Sequence, residues 1–323
     1  MKTTLTATTS YETEVQISSA KEWFLRTLKG NLNLIKVEGP LLVEQGTGIN
    51  DDLNGIEAPV AFTTTALPGK TLEIVQSLAK WKRLRLAEIK APEQTGLVVD
   101  MRALRPDEEL SAIHSLYVDQ WDWEKVIRAE NRTINYLKQE VNAIYEAIKS
   151  TELDIAEAFD IEPVLPARIR FIHAEELQLL YPDFSPKERE NAITENYGAV
   201  FIIGIGHTLS DSQPHDLRSP DYDDWSTVQE NGLRGLNGDL LVWNSVLKSA
   251  FEISSMGIRV DEQALRYQLN MRNQEKRLDY PWHQQLLRGD LPLTIGGGIG
   301  QSRLVMFLLR KSHISQVQQS VWN

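Results

Sequence analysis

Helices are predicted where apolar residues step by threes and fours along the chain. The clearest such pattern runs from residue 131 to residue 150 and is typical of an amphipathic helix whose apolar face serves packing. Another helix is predicted between Ser185, which can cap its first turn, and Gly198, which can end it. Further helices are predicted from a cap at Ser18 or Ser19 to Gly30, and at 76–89, 262–272 and 282–288.

Strands are predicted where apolar residues alternate with polar ones or run without interruption. The run 199–206 is continuously apolar, which is typical of a central strand. Within 116–126, three polar residues alternate with tryptophans and therefore share one face: Gln120, Asp122 and Glu124. That face is either exposed to solvent or the floor of a polar pocket. Further strands are predicted at 32–44 with a bend at Pro40, at 58–75 as two strands around Pro68–Gly69, and at 97–106, 168–177, 238–244 and 250–260.

A glycine-rich stretch, LTIGGGIGQSRLVMFLL at 293–309, joins a predicted strand to a predicted helix. Without a Cβ, Gly296–Gly298 and Gly300 can take a positive φ and let another group pack flat against the backbone. Arg303 follows among apolar residues, where a guanidinium is costly unless it binds an anion. The alternative is a surface arginine at a helix N-terminus. The glycine spacing matches neither the dinucleotide-binding fingerprint nor the P-loop.

Composition excludes several classes of chemistry. The chain has no cysteine, so disulfides, thiolate zinc sites and cysteine nucleophiles are excluded. A net charge of -11 argues against a broad nucleic-acid surface. Because the first residues lack a basic region with an apolar core, and no window is apolar enough for a membrane span, we expect a cytoplasmic protein without membrane contact. No repeat or linker stands out, which favours a single catalytic domain over 1–323.

Polar segments between these elements carry less information. The Gly-, Asn- and Asp-rich segment 45–55 is interpreted first as an ordinary surface loop. The long loop 207–227 holds His207 and His215, but their spacing is not that of zinc ligands. The basic face of the helix at 76–89 is of a kind that is more often solvated than functional.

Ionisable residues within apolar strand sequence, together with one neighbouring glutamine, indicate one shared polar site. Two arginines and two carboxylates suit a nucleotide polyphosphate with magnesium, because guanidinium groups hold phosphate oxygens bidentately and carboxylates ligate the metal. Structural ion pairs explain the same pattern equally well. The residues concerned are Arg105, Gln120, Asp122, Asp239, Glu252 and Arg303.

These segments also resemble a known family. MRALRPDE followed by HSLYVDQWDWE resembles the second signature motif of class II aminoacyl-tRNA synthetases, with Arg105 at its phosphate-binding arginine. GGGIGQSRLVMFLL is similar to the third motif, with Arg303 at its ATP-binding arginine. The helix and strand ending at Pro40 resemble the first motif, which builds the dimer interface in that family. HSLYVDQWDWE, QSLAKWKR, PDYDDWST, GLNGD and SSMGIRVD together resemble the ammonia-dependent asparagine synthetases over nearly the whole chain.

The resemblance implies a fold and a reaction. The fold is α+β, a mixed and mostly antiparallel sheet flanked by helices, as in a class II synthetase core, and the protein is expected to be a homodimer. The implied substrates are L-aspartate, ATP and ammonium, with Mg²⁺ on the phosphates. The β-carboxylate of aspartate attacks the α-phosphorus, and ammonia then displaces AMP. Since the chain offers no cysteine nucleophile to release ammonia from glutamine, free ammonium is the expected nitrogen source.

The resemblance also assigns roles to particular residues. Arg105 and Arg303 stabilise charge on the α-phosphate, and Asp239 and Glu252 hold magnesium. The aspartate pocket is formed by Ser77, Lys82, Gln120, Asp122 and Arg259, with Lys82 and Arg259 on the unreactive carboxylate and Asp122 on the α-ammonium. Two loop residues complete the assignment, Asp51 for recruiting and deprotonating ammonium and Asp223 for the nucleotide or the ammonia path.

Two alternative functions remain at this point. An aminoacyl-tRNA synthetase needs an anticodon-binding module, which the sequence does not suggest, and we expect no tRNA partner. An inactive relative that only senses an amino acid or a nucleotide is disfavoured because both arginines and the acidic pair are present. Product analysis with ammonium and with tRNA separates the two enzymes.

Overall fold

Secondary structure is described for residues 10–51, 53 and 57–322 in a computed structural model. Helices lie at Tyr11–Leu32 (α1), Ala79–Glu88 (α2), Ile134–Phe159 (α3), Ala174–Leu180 (α4), Pro186–Tyr197 (α5), Glu262–Met271 (α6), Pro281–Leu287 (α7) and Gln301–Leu308 (α8). Strands lie at Leu34–Val37 (β1), Leu42–Glu44 (β2), Ala61–Thr63 (β3), Thr71–Ile74 (β4), Gly96–Leu104 (β5), Tyr117–Val126 (β6), Arg170–His173 (β7), Ala199–Ile203 (β8), Asn237–Asn244 (β9), Ser249–Ile258 (β10) and Thr294–Gly300 (β11). No helix in these ranges is long and apolar enough to cross a membrane.

Eight strands form one mixed sheet in the order β1-β5-β6-β11-β10-β9-β8-β7. The pairs at its two edges, β1 with β5 and β7 with β8, are parallel. The pairs between them are antiparallel. Strands β2, β4 and β3 form a second, small antiparallel sheet, in the order β2-β4-β3. The predicted α+β class with a mostly antiparallel sheet is therefore confirmed.

Strand β6 separates the core from the polar side of the sheet. Trp121 and Trp123 are buried in the apolar cluster that also contains Phe24 of α1 and Ile144 of α3. The ring of Phe24 lies 4.6 Å from that of Trp121. Successive side chains of a strand point to opposite faces, so the polar residues between the tryptophans face away from this cluster. Gln120 and Asp122 on this face line a cavity, and Glu124 is fully buried, so the pocket interpretation is correct and the solvent interpretation is wrong.

Helix α1 begins earlier and ends later than predicted. Ser10 caps it by accepting a hydrogen bond from the amide nitrogen three residues on, at 3.1 Å, whereas Ser18 and Ser19 lie inside the helix. Gly30 lies in the last turn, and Asn33 ends the helix with φ 58°. Buried apolar residues continue to the last position of the helix, and such packing outweighs the weak preference of serine and glycine for helix ends.

Other local predictions are confirmed. Ser185 caps α5 with a complete capping box, and Gly198 ends the helix with φ 74°. The strands predicted at 238–244 and 250–260 correspond to β9 and β10, which pair antiparallel. The predicted helix at 131–150 extends to Phe159. Part of the predicted loop at 45–55, residues 52, 54 and 55, lies outside the described residues.

Candidate active site

Arg105 and Arg303, the two arginines predicted to bind phosphate, line the same cavity of about 630 Å³. They come from distant parts of the chain, Arg105 from just beyond β5 and Arg303 from the first turn of α8. Except for Lys82 and Asp239, all the residues predicted for the site line this cavity: Asp51, Ser77, Arg105, Gln120, Asp122, Asp223, Glu252, Arg259 and Arg303.

Glycines of β11 make room for the polar side chains of β6. A Cβ added to Gly298 would overlap the Oε1 atom of Gln120, and one added to Gly296 would overlap the carboxylate of Glu124. Residues 296–300 lie in the strand itself and have no positive φ. The glycines therefore do not take the positive φ that was considered for them, and they serve instead the close approach of neighbouring side chains, which was also predicted.

A buried ion-pair network fixes Arg259 at the base of the cavity. Its Nη2 and Nε atoms donate to Glu124 at 2.8 to 3.1 Å, and its Nη1 atom donates to Asp223. Burial alone would raise the pKa of Glu124, but Arg259 and Lys82 outweigh it and lower that pKa. The guanidinium is thus charged and oriented before any ligand arrives, as carboxylate recognition requires.

Lys82 lies behind Asp122 rather than on the cavity wall. It is fully buried, and its Nζ atom donates to Asp122, to the carbonyl oxygen of Trp123 at 2.9 Å and to that of Gly297 at 3.2 Å. Burial lowers its pKa, against the pull of Asp122 and Glu124. The structure therefore differs from the prediction that Lys82 itself contacts the substrate carboxylate.

The basic side of α2 is buried, so the solvated interpretation of this helix is wrong. Lys80 donates to Asp221 at 3.0 Å. Arg83 donates from Nε to the carbonyl oxygen of Pro292 and from Nη1 to that of Val260, both at 2.7 Å. These partners lie far along the chain, and a sequence pattern alone does not reveal them.

Both phosphate-binding candidates make weak contacts with the part of the protein that the structure describes. Arg105 donates to the carbonyl oxygen of Gln76 at 3.4 Å. Arg303 lies 3.8 Å from a carboxylate oxygen of Glu252, and these two side chains are 24% and 44% exposed. Weak, partly solvated contacts leave both guanidinium groups available to an anionic ligand.

The two carboxylates predicted for magnesium differ in their surroundings. Glu252 lines the cavity, whereas Asp239 does not and accepts a hydrogen bond from Arg218. Burial raises the pKa of Asp239 to about 7, with Glu252 and Asp216 adding to the effect and Arg218 opposing it. In the described part of the chain, no group of three His, Asp or Glu side chains is suited to a metal ion. In this structure Asp239 is paired with Arg218, and it lies outside the set of residues that line the cavity.

Asp51 lies at the cavity, buried to 3% exposure. Burial, and then the nearby Asp51 carboxylate, raise the pKa of Tyr222. The loop before Asp51 packs on α7, since Gly48, with φ 76°, leaves no room for a Cβ beside Tyr280 and His283.

Asp221 joins three segments around the cavity. Its fully buried carboxylate accepts hydrogen bonds from Lys80 at 3.0 Å, Arg277 at 3.1 Å, His283 at 2.9 Å and Ser219 at 2.8 Å. Burial alone would raise the pKa of Asp221, but Lys80, His283 and Arg277 hold it well below its usual value. This carboxylate ties α2 and α7 to the segment that carries Tyr222 and Asp223.

Sequence reasoning missed several lining residues, among them Gln76, Arg218 and Tyr222. Gln76 directly precedes Ser77 in the QSLAKWKR motif, so a polar residue between an apolar strand and a helix was the available indication. Arg218 lies among Ser, Pro and Asp residues, where nothing in the sequence distinguishes it from a surface arginine.

The strand order and the site define a class II aminoacyl-tRNA synthetase-like core. The fold is similar to asparaginyl-tRNA synthetase from Pyrococcus horikoshii complexed with asparaginyl-adenylate (TM-score 0.69, 16% identity, 95% of this chain and 68% of that chain). It is also similar to asparaginyl-tRNA synthetase from Entamoeba histolytica in complex with asparaginyl-adenylate (TM-score 0.67, 14% identity, 95% and 66%). Aspartyl-tRNA synthetase from the same organism matches with a TM-score of 0.62, 14% identity, and coverage of 95% and 57%.

At these identities the likeness shows the fold alone, and the chain spans 57% to 68% of the length of those synthetases. A protein-family match is more specific, because the aspartate-ammonia ligase family fits residues 11–323. The chain belongs to the aspartate-ammonia ligase family and is a ligase.

Proposed function

We propose that this protein makes L-asparagine from L-aspartate, ammonia and ATP, releasing AMP and pyrophosphate. The observation that carries the proposal is the meeting of Arg105 and Arg303 on one cavity, above a floor that contains Asp122 and Arg259. Family membership supports the same reaction.

In the first step, aspartate is activated as β-aspartyl-AMP. An oxygen of its β-carboxylate attacks the α-phosphorus of ATP, and the bond from that phosphorus to the bridging oxygen of pyrophosphate breaks. Arg105 and Arg303 neutralise the charge that develops on the phosphate oxygens. Their weak contacts within the free protein support this role, since few existing hydrogen bonds must be given up.

Recognition of aspartate uses both signs of charge on the cavity floor. Arg259 binds the α-carboxylate, and Asp122 accepts hydrogen bonds from the α-ammonium. Lys82 acts through Asp122, which it orients from behind. Ser77 and Gln120 line the same pocket and complete the polar contacts.

In the second step, ammonia replaces AMP. Ammonium first gives a proton to Asp51, because only neutral ammonia has a lone pair for attack. The nitrogen lone pair then forms a bond to the acyl carbon, the bond from that carbon to the phosphate oxygen breaks, and AMP leaves with the electron pair. The nitrogen loses one further proton to solvent water to give the amide. Asp223, at the cavity beside Arg259, lies along the path proposed for the nucleotide or for ammonia.

Magnesium enters this scheme with ATP. We propose Glu252 as its protein ligand, because this carboxylate lines the cavity and is partly exposed. Magnesium bound to nucleotide phosphates takes only one or two carboxylates from the protein, and it supplies charge neutralisation there.

The proposed dimer uses α1 and β1. Strand β1 is an edge of the main sheet, and Ile35 on it is 56% exposed, so this edge is accessible to a partner. A second copy of the chain is the proposed partner.

One incubation tests the function directly. Purified protein with aspartate, ATP, magnesium and ammonium should form asparagine and AMP in equal amounts, measured by chromatography. A parallel reaction contains tRNA and no ammonium. Aminoacyl-tRNA as the product, with no asparagine in the first reaction, would contradict the proposal.

A further inference from the structure

A fully buried carboxamide at the cavity has no role in the steps above. Gln76 directly precedes Ser77 and lines the cavity, with no measurable exposure. Among the residues that the structure describes, neither its Oε1 nor its Nε2 atom has a hydrogen-bond partner. Burying an amide without a partner destabilises a protein, so such a group in a ligand cavity indicates a contact made by the ligand.

The neighbours of Gln76 indicate which substrate group its side chain contacts. The Oδ1 atom of Asn50 accepts hydrogen bonds from the backbone nitrogen of Gln76 at 2.9 Å and from that of Asp51 at 3.0 Å. The Nδ2 atom of Asn50 donates to Glu73 at 3.0 Å and to the carbonyl oxygen of Ile74 at 3.2 Å. Asn50 therefore holds Gln76 and Asp51 side by side against β4.

Another neighbour of Gln76 is Arg105. Its Nη2 atom donates to the backbone carbonyl oxygen of Gln76 at 3.4 Å. Gln76 thus lies between the candidate for the α-phosphate and the candidate for ammonium. The acyl carbon of the adenylate, where the nitrogen must arrive, belongs between these two groups.

We propose that Gln76 is a further substrate-binding residue, whose Oε1 atom accepts an N–H hydrogen bond from the incoming ammonium. The inference rests on the proposed function. Ammonium offers four N–H donors and no acceptor, so it needs several oxygens around it. An amide oxygen accepts a hydrogen bond without taking the proton, which leaves Asp51 as the base. After that transfer, ammonia keeps one N–H on Gln76 and points its lone pair at the acyl carbon.

Two substitutions of similar shape separate the acceptor from the donor of the amide. Gln76→Met removes both, and it should raise the KM for ammonium about tenfold, as expected for one lost hydrogen bond. Aspartate-dependent exchange of pyrophosphate into ATP, which needs no ammonium, should stay within about threefold of wild type. Gln76→Glu keeps an acceptor in the same place, and its KM for ammonium should also stay within about threefold.

The matched control is Gln178→Met. Gln178 lies in α4, is buried to 8% exposure, and accepts a hydrogen bond from Ser210 at 2.9 Å, outside the cavity. This variant should leave both assays within about threefold of wild type. Thermal melting checks each protein first, and Gln76→Leu replaces the methionine variant if that one does not fold.

Three results would overturn the proposal. If Gln76→Met lost pyrophosphate exchange and asparagine formation equally, the amide of Gln76 would act in the activation of aspartate and not in ammonium binding. A glutamate variant as impaired towards ammonium as the methionine variant would make Nε2 the working atom. Unchanged kinetics in all variants would make Gln76 a bystander. By contrast, a wild-type protein that exchanges pyrophosphate but forms no asparagine from ammonium would refute the proposed function itself.

Discussion

Replacing Gly296 with alanine tests whether the glycines of β11 exist to accommodate the ion pair beneath the cavity. The new Cβ would overlap a carboxylate oxygen of Glu124 and lie 2.6 Å from the carbonyl oxygen of Trp123. Ordinary contacts of this kind are roughly 3.5 Å long, so the carboxylate must move by about 1 Å or more. The backbone cannot move instead, because β11 is paired with β6 on one side and β10 on the other.

The displaced carboxylate is the one that holds Arg259, with contacts of 2.8 to 3.1 Å and no exposure on the glutamate. Breaking a buried ion pair costs about 3–5 kcal/mol. For a chain of this size we expect Tm to fall by roughly 5–10 °C. Because Arg259 also loses its orientation, the KM for aspartate should rise about tenfold.

Melting curves and aspartate titrations of asparagine formation measure both effects. Gly30→Ala is the control, since its Cβ would meet nothing within 4 Å and this exposed glycine lies in the last turn of α1. Alanine there should be neutral or stabilising by up to about 1 kcal/mol. If Gly296→Ala melts like the control and binds aspartate normally, the packing account of these glycines is refuted.

Four other predictions follow from the site. Arg105→Ala should lower pyrophosphate exchange by about 100-fold or more, as expected for lost transition-state charge stabilisation, with an unchanged melting curve; near-normal exchange would contradict its role. Asp51→Ala should impair asparagine formation more than pyrophosphate exchange, and equal losses would count against an ammonia-specific role. Asp221→Asn should destabilise the protein by about 3 kcal/mol at pH 7. Since the folded pKa of Asp221 is below its unfolded value, this stabilisation is present above about pH 4 and is lost as pH falls further, so denaturant titrations of the two proteins should converge in acid. Ile35→Glu should convert the proposed dimer into a monomer in analytical ultracentrifugation, whereas an unchanged sedimentation coefficient would place the interface elsewhere.

The predictions that are confirmed depend on local sequence. Strand β6 and helix α5 could be predicted because alternation and capping residues act over a few positions. The residues at the cavity were predicted largely from family motifs. A motif identifies a position but does not identify the residue that contacts it. The pairing of Lys82 with Asp122 spans 40 residues, and that of Arg259 with Glu124 spans 135. Contacts over such separations are fixed by the tertiary fold, so sequence reasoning placed Lys82 on the substrate and the structure places it behind Asp122.

The charged partner of Asp239 was also impossible to identify from the sequence. An acidic residue in an apolar strand indicates a partner, but the sequence does not say whether that partner is a metal ion or an arginine. In the structure Asp239 is paired with Arg218, which comes from a loop 21 residues earlier in the sequence. Gln76 was missed for a different reason, since its position between an apolar strand and a helix is a weaker signal than a charge within an apolar strand.

Strand β6 constrains how this protein can change over evolutionary time. Its tryptophans fill the apolar interior, while the polar residues that alternate with them lie on the cavity side of the sheet, so a single inserted or deleted residue would exchange the two sets. Point substitutions can change the cavity lining one side chain at a time, but a change in the length of this strand would disrupt both the fold and the site. Libraries that aim to make the proposed ligase use other amines as nucleophiles should therefore vary side chains along this strand and leave its length unchanged.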